Sequence, residues 1–194
     1  MSGIPANPKA ELRQKIHAVL QTISAAVRLA ASAQACMQLR EQPFWQKAAS
    51  VLFFAPLLDE VDLWPLLEEA LAAGKVAALP RFDPASNDYL ACRIQNPQHE
   101  VGPGHFGIRE PKAGCPEISL ERLGLILVPG LAFDLTGHRL GRGRGFYDRL
   151  LAEIHSTKCG VAFDEQILDA VPAGKSDVRM DFILTPTRCV RCDG

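Results

Sequence analysis

The chain has 194 residues, enough to bury a sizeable core and suited to one domain spanning residues 1–194. Hydrophobic residues make up 47% and charged residues 22%, which excludes extended disorder, and a formal net charge of −1 excludes the strongly basic field of a dedicated nucleic-acid binder. No window holds 18 consecutive apolar residues and the opening MSGIPANPKAEL has no basic start leading into an apolar run, so no membrane span or secretory signal is expected, and a cytoplasmic protein is.

Residues 1–8 carry two prolines and a glycine and read as a flexible lead. From Lys9 the pattern turns helical: Leu12, Ile16, Val19, Leu20, Ile23 and Val27 recur at steps of three and four, and alanine-rich sequence extends the expected helix to about Leu39, before Pro43. VLFFAP (51–56) is a continuous apolar run, the mark of a strand covered on both faces. LWPLLEEALAAG (63–74) predicts an amphipathic helix with a glycine stop, VAALP (76–80) a buried strand and DYLACRI (88–94) a weaker one. Residues 95–120, rich in Pro and Gly, predict an irregular crossover. LGLILVPG (123–130) is the strongest strand signal, GFYDRLLAEI (145–154) is helical, and CGVAF (159–163) and DFILTP (181–186) are further strands, leaving 187–194 as a tail. Apolar strands alternating with helices predict an α/β fold, a three-layer α/β/α sandwich with a mostly parallel open sheet.

The cysteines at 36, 92, 115, 159, 189 and 192 are scattered. Cys189 and Cys192 form a single CxxC without the second pair a zinc site needs, so free thiols are expected. Histidines 17, 99, 105, 138 and 155 show no ligand spacing, and His138 is read as solvent-facing.

The segment TGHRLGRGRGFYDR (136–149) carries the chemistry. Glycines at 137, 141, 143 and 145 allow the backbone to approach a ligand closely, and successive amides can form an anion-binding concavity. Arg142 and Arg144 can grip phosphate oxygens in a bidentate manner, and Asp148 can hold Mg²⁺ shared with phosphates. The segment follows the strongest strand, and open α/β sheets bind ligands at the carboxyl ends of their strands. It is neither GxxxxGK[ST] nor a dinucleotide GxGxxG. The residues alone leave three readings open: a nucleotide-phosphate cradle, a solvated turn, or contact with nucleic acid.

VPGLAFDLTGHRLGRGRGFYDRLL (128–151) resembles the signature of the 5-formyltetrahydrofolate cyclo-ligase family, PG-x-x-FD-x-x-G-x-RLG-x-G-K/R-G-x-YD. Further matches run along nearly the whole chain: the basic pair Lys9 and Arg13, the acid Glu60 within FFAPLLDEVD (53–62), LPRF (79–82), FGIREP (106–111) and SDVRMDFILTP (176–186). The resemblance implies a NagB/RpiA/CoA-transferase-like fold and an enzyme that uses ATP and Mg²⁺ to cyclise 5-formyltetrahydrofolate to 5,10-methenyltetrahydrofolate, releasing ADP and phosphate. ATP phosphorylates the formyl oxygen and the substrate's own N10 attacks, so no protein nucleophile is needed.

By the same resemblance, Arg142 and Arg144 are catalytic. Lys9, Arg13, Arg139, Leu140, Gly141, Arg142, Gly143, Arg144, Gly145, Phe146 and Tyr147 bind ATP. Ala55, Glu60, Arg142, Gly143, Arg144, Gly145 and Phe146 bind the folate, with Glu60 on the pterin. Asp148 and Asp181 hold the metal. Asp134 is expected to order its loop by capping backbone amides. Arg144 stands where the family often has lysine, and Ser176 where many members have histidine. The partners expected are these small molecules, with no nucleic acid and no membrane, and a monomer is the default. The rival readings are a non-catalytic relative that puts the glycine–arginine segment on RNA, and another ATP-dependent ligase on the same fold.

Overall fold

The computed structural model describes residues 8–152, 154–174 and 177–192. Residues 1–7 of the expected lead, Ser176 and the last two residues of the tail lie outside the described residues.

The helical periodicity from Lys9 does produce helix, but as two pieces. Helix α1 (Pro8–Thr22) ends and α2 (Ala25–Arg40) restarts with its axis turned by 102°. Ser24 causes the restart: its side chain accepts a hydrogen bond from the Val27 amide as an N-cap. The apolar spacing overstates the buried face: Ile16, Leu20 and Ile23 are buried, but Val19 and Val27 are exposed, and α2 reaches the core through Ala35, Cys36 and Leu39. Pro43 opens a short helix, α3 (Pro43–Lys47), at its first turn, where a missing amide costs nothing. Among the described residues no single helix is long and apolar enough to cross a membrane.

Strand β1 (Ser50–Leu52), α4 (Trp64–Ala72), β2 (Val76–Asp83) and β3 (Asp88–Ile94) follow. The expected irregular crossover contains a short helix, α5 (Pro97–Glu100), and a small hairpin of β4 (Val101–Pro103) and β5 (Arg109–Pro111). Strand β6 (Leu125–Pro129) is the predicted strong strand. The glycine–arginine segment does not follow it directly. A hairpin of β7 (Ala132–Asp134) and β8 (Arg139–Leu140) intervenes before α6 (Phe146–Ala152). The chain closes with β9 (Thr157–Val161), β10 (Ile167–Leu168), β11 (Phe182–Leu184) and β12 (Cys189–Arg191), so part of the expected tail is an edge strand.

The main sheet has the order β12-β11-β9-β6-β1-β2-β3. Its interior pairs are parallel and only the edge strands β3 and β12 run antiparallel. Side chains alternate between two cores. Val51, Leu125, Leu127, Cys159 and Leu184 face α1, α2 and α4, while Leu52, Ile126, Val128 and Ile183 face Leu150 and Leu151 of α6. This is a three-layer α/β/α sandwich, and it explains the continuous apolar runs: each strand is buried on both faces.

The topology makes a crevice. From β1 the chain moves one way along the sheet, through α4 on one face to β2. From β6 it moves the other way, through α6 on the opposite face to β9. Strands β1 and β6 are neighbours, so the connections leaving their carboxyl ends diverge and leave a gap there.

Candidate active site

A cleft of about 710 Å³ occupies this gap. Its floor comes from the carboxyl ends of three adjacent strands: Phe54 and Ala55 beyond β1, Pro80 in β2, and Pro129 and Gly130 at the end of β6.

One wall is basic. Lys9 and Arg13, one turn apart on α1, face the segment Gly141–Gly145. Arg13 Nε donates to the Gly141 carbonyl at 2.9 Å. Gly143 has φ of 101°, a left-handed conformation that side chains disfavour, and the Arg13 guanidinium lies where a Cβ would begin to crowd it. Lys9 Nζ donates to Asp177 Oδ2 at 2.5 Å. Burial pushes the Asp177 carboxyl up, but the Lys9 ammonium and the Gly174 amide outweigh it and hold it below the ordinary aspartate value. Because α6 has only seven residues, these side chains supply the wall's positive charge more than any helix dipole does.

Beneath the segment lies Arg139, buried on β8. Its Nη2 donates to Asp148 Oδ1 at 2.6 Å, and its guanidinium carbon is 5.7 Å from the centre of the Tyr147 ring. Its Nε has no hydrogen-bond partner among the described residues. Burial keeps the Tyr147 phenol protonated far above neutrality, so any role for it is as a neutral hydroxyl.

The opposite wall is apolar with one acid. Phe146 sits within 5.3–5.7 Å of the rings of Phe82, Tyr89 and Phe106, mostly edge to face. Arg144 lays its guanidinium 4.0 Å from the centre of the Phe106 ring. Phe106 is itself in the left-handed region, with φ of 60°. Burial, with Glu110 nearby, pushes the Tyr89 hydroxyl up to about 12. Glu60 is buried between the walls. Its Oε2 accepts from the Leu57 amide at 2.9 Å, and its Oε1 accepts from Arg142 Nε and Nη2 at 3.2 and 3.1 Å. Arg142 also reaches Asp59 Oδ1 at 2.6 Å. Burial raises the Glu60 carboxyl above the ordinary glutamate value despite Arg142.

The fold therefore gathers Lys9, Arg13, Ala55, Glu60, Arg139, Gly141, Arg142, Gly143, Arg144, Gly145, Phe146, Tyr147 and Asp148 into one cleft from segments scattered along the chain. Two expectations are corrected. Leu140 does not line the cleft; it packs into the core, because β8 alternates and turns Arg139, not Leu140, toward Asp148. Asp181 lies away from the cleft at the opposite end of the sheet. It precedes β11 at the level of Lys158, whose backbone amide its carboxylate accepts at 2.7 Å. Asp177, four residues earlier, is the acid that lines the cleft with Asp148. His138 faces solvent only in part, with a side-chain exposure of 21% and Nδ1 2.9 Å from the Thr136 hydroxyl and 3.3 Å from Asp134. Asp134 caps its loop as expected, accepting from the amides of Thr136, His138 and Val171.

Asp59, Tyr89 and Asp177 were not singled out from sequence as site residues. Asp59 and Asp177 had only adjacency to matched motifs as a signal.

The model of the 5-formyltetrahydrofolate cyclo-ligase family matches residues 5–186. The chain is 33% identical over 159 residues to the 5-formyltetrahydrofolate cyclo-ligase of Escherichia coli K12, covering 80% of this chain and 87% of that one. It is 37% identical over 149 residues to the enzyme of the same name from Mycolicibacterium smegmatis, covering 72% and 74%. Among solved structures, the 5,10-methenyltetrahydrofolate synthetase of Aquifex aeolicus superposes with a TM-score of 0.86 at 36% identity, covering 96% of this chain and 94% of that one. The synthetase of Mycoplasma pneumoniae shares the fold, with a TM-score of 0.74 at 18% identity.

Proposed function

The chain belongs to the 5-formyltetrahydrofolate cyclo-ligase family, and from that premise we propose that it cyclises 5-formyltetrahydrofolate to 5,10-methenyltetrahydrofolate using ATP and Mg²⁺. The observation that carries the reading is the division of one cleft into a basic, glycine-lined wall and an aromatic wall with a buried acid. The first suits a triphosphate and the second a pterin with its appended ring.

In this reaction the γ-phosphoryl group leaves ADP and bonds to the formyl oxygen. N10 then attacks the formyl carbon, loses its proton, and the carbon–oxygen bond breaks to release phosphate. Formyl oxygen is a poor leaving group and its phosphate ester a good one, which is why the nucleotide is required. The protein's task is alignment and charge neutralisation. Arg142, bonded to Glu60, and Arg144, resting on Phe106, would neutralise charge on the transferring group. Lys9 and Arg13 bind the remaining phosphates beside the turn at Gly143. Glu60 accepts from the N–H edge of the pterin, and Phe146 and Ala55 pack against its faces.

A magnesium ion fits the donors present. Asp148 and Asp177 offer hard oxygen donors on the basic wall, each with one oxygen paired to Arg139 or Lys9, and no cluster of three or more ligating side chains exists among the described residues. Two carboxylates completed by phosphate oxygens and water is the habit of Mg²⁺. Bound there, the ion would add positive charge to the triphosphate.

The test is spectrophotometric. Protein, 5-formyltetrahydrofolate, ATP and Mg²⁺ should give the near-ultraviolet absorbance of the methenyl product, and omission of either ATP or metal should abolish it. Folded protein that binds ATP but gives a flat trace would mean a different acceptor.

A further inference from the structure

Glu60 and Arg142 come from opposite walls and meet in the middle of the cleft. Glu60 Oε1 accepts two hydrogen bonds from Arg142, which fills its lone pairs, and Oε2 is engaged by the Leu57 amide. Arg142 commits Nε and Nη2 to this carboxylate and to Asp59. The carboxylate is nearly enclosed, with a side-chain exposure of 8%, so solvent screens the contact weakly. The acid proposed for the pterin and the arginine proposed for the transferring phosphoryl group are thus bonded to each other.

Resting on the proposed function, we infer that the Glu60–Arg142 pair is a latch coupling the two ligands, so that nucleotide and folate bind with positive cooperativity. A phosphate that takes Arg142 frees Glu60 Oε1. A pterin that takes Glu60 frees Arg142. The cost of opening the pair is incurred once, by whichever ligand arrives first, and the second binds without it. Asp59 keeps the arrangement in register. Its Oδ1 accepts at 2.6 Å from the Nη2 that also reaches Glu60, which has a hydrogen for each acid, and His17 lies 3.6 Å from its other oxygen. Arg142 therefore stays at the seam between the walls when Glu60 lets go.

The experiment measures equilibrium binding of the non-hydrolysable imido analogue of ATP, with Mg²⁺, in the presence and absence of saturating 5-formyltetrahydrofolate. Folate should tighten the analogue by about fivefold or more, and the analogue should tighten folate by the same factor. In Glu60→Gln the analogue alone should bind tighter than it does to the wild-type protein alone, and the folate-dependent factor should fall towards one. Asp59→Asn also removes a negative charge beside Arg142 and should tighten the analogue. It should leave the folate-dependent factor at its wild-type value, because the folate does not use Asp59. That contrast separates a latch from a general charge effect. A wild-type factor of one overturns the proposal however the variants fold, as does Glu60→Gln binding the analogue no more tightly than wild type. Methenyl formation with a factor of one sinks the latch alone. A protein that binds neither ligand sinks the functional reading and the latch together.

Discussion

The Arg139 guanidinium is buried against the Asp148 carboxylate, Nη2 to Oδ1 at 2.6 Å, while its Nε has no partner among the described residues. Asp148 is the carboxylate bonded to this cation, while Nη1 reaches the Pro129 carbonyl and Asp177 adds negative charge nearby. Asp148 is thus both a candidate metal ligand and the counter-ion of a buried arginine.

Asp148→Ala should therefore fail twice. Turnover should be lost, and stability should fall, by up to about 3 kcal/mol for a pair whose carboxylate is partly exposed, because the buried guanidinium loses its bonded counter-ion. Asp148→Asn keeps a neutral acceptor and should lose turnover at a smaller cost in stability. Urea unfolding of the three proteins, read beside their rates, checks both parts. Equal stability of wild type and Asp148→Ala would contradict the counter-ion role.

Arg144 should behave differently. It rests on the face of Phe106 and takes part in no buried ion pair among the described residues. Arg144→Ala should cut kcat by about 100-fold or more, the loss expected when one donor to developing charge is removed. Its melting temperature should stay near wild type. Arg144→Lys should recover part of the rate, since the charge returns without the planar fork.

The two acids of the last motif can be separated by metal titration. Asp177→Asn should raise the Mg²⁺ concentration needed for half-maximal rate by about tenfold or more, because Asp177 lines the cleft. Asp181→Asn should leave that concentration unchanged, its carboxylate being committed to the Lys158 amide at the far end of the sheet.

Two buried carboxyls should shape the pH dependence of stability in opposite senses. Burial pushes Asp134 up, but the Thr136 hydroxyl and the amides of Val171 and His138 outweigh it, so its folded value lies below 3.8. Its contribution is present above 3.8 and is lost as pH falls through the folded value. Glu60 lies above 4.5 in the folded state, chiefly through burial. The folded protein then binds more protons than the unfolded chain, so stability declines as pH rises from 4.5 through the folded value. Thermal melts across pH should show Glu60→Gln gaining on wild type as pH rises over that range. Asp134→Asn should lose most relative to wild type above 3.8, and the gap should narrow in acid. A constant difference between Glu60→Gln and wild type would contradict the shift assigned to Glu60.

Much was legible in one dimension because the causes are local. The double-faced burial of VLFF and LILV is written in their lack of polar alternation, and β3 emerges at Asp88–Ile94 as read. The long signature around GRGRGFYD named most of the cleft's basic wall. The break at Ser24 escaped because Val27 continues the apolar spacing past it by coincidence, although that residue is exposed and α2 packs through Ala35, Cys36 and Leu39. The β7–β8 hairpin escaped because two- and three-residue strands carry almost no pattern.

What the sequence alone determined was the chemistry available: glycines where backbone must turn, arginines beside them, and an acid following an apolar strand. What only the tertiary structure decided was which of these groups share a space. Asp177 and Asp181 are four residues apart and equivalent on paper. The reversal of direction between β1 and β6 opens the cleft at one end of the sheet, and that places Asp177 beside it and Asp181 at the other end. Likewise nothing along the chain links Glu60 to Arg142, which are 82 residues apart in sequence. They meet because β1 and β6 are neighbouring parallel strands whose following segments border the same gap, and a contact of that kind exists only once the sheet has formed.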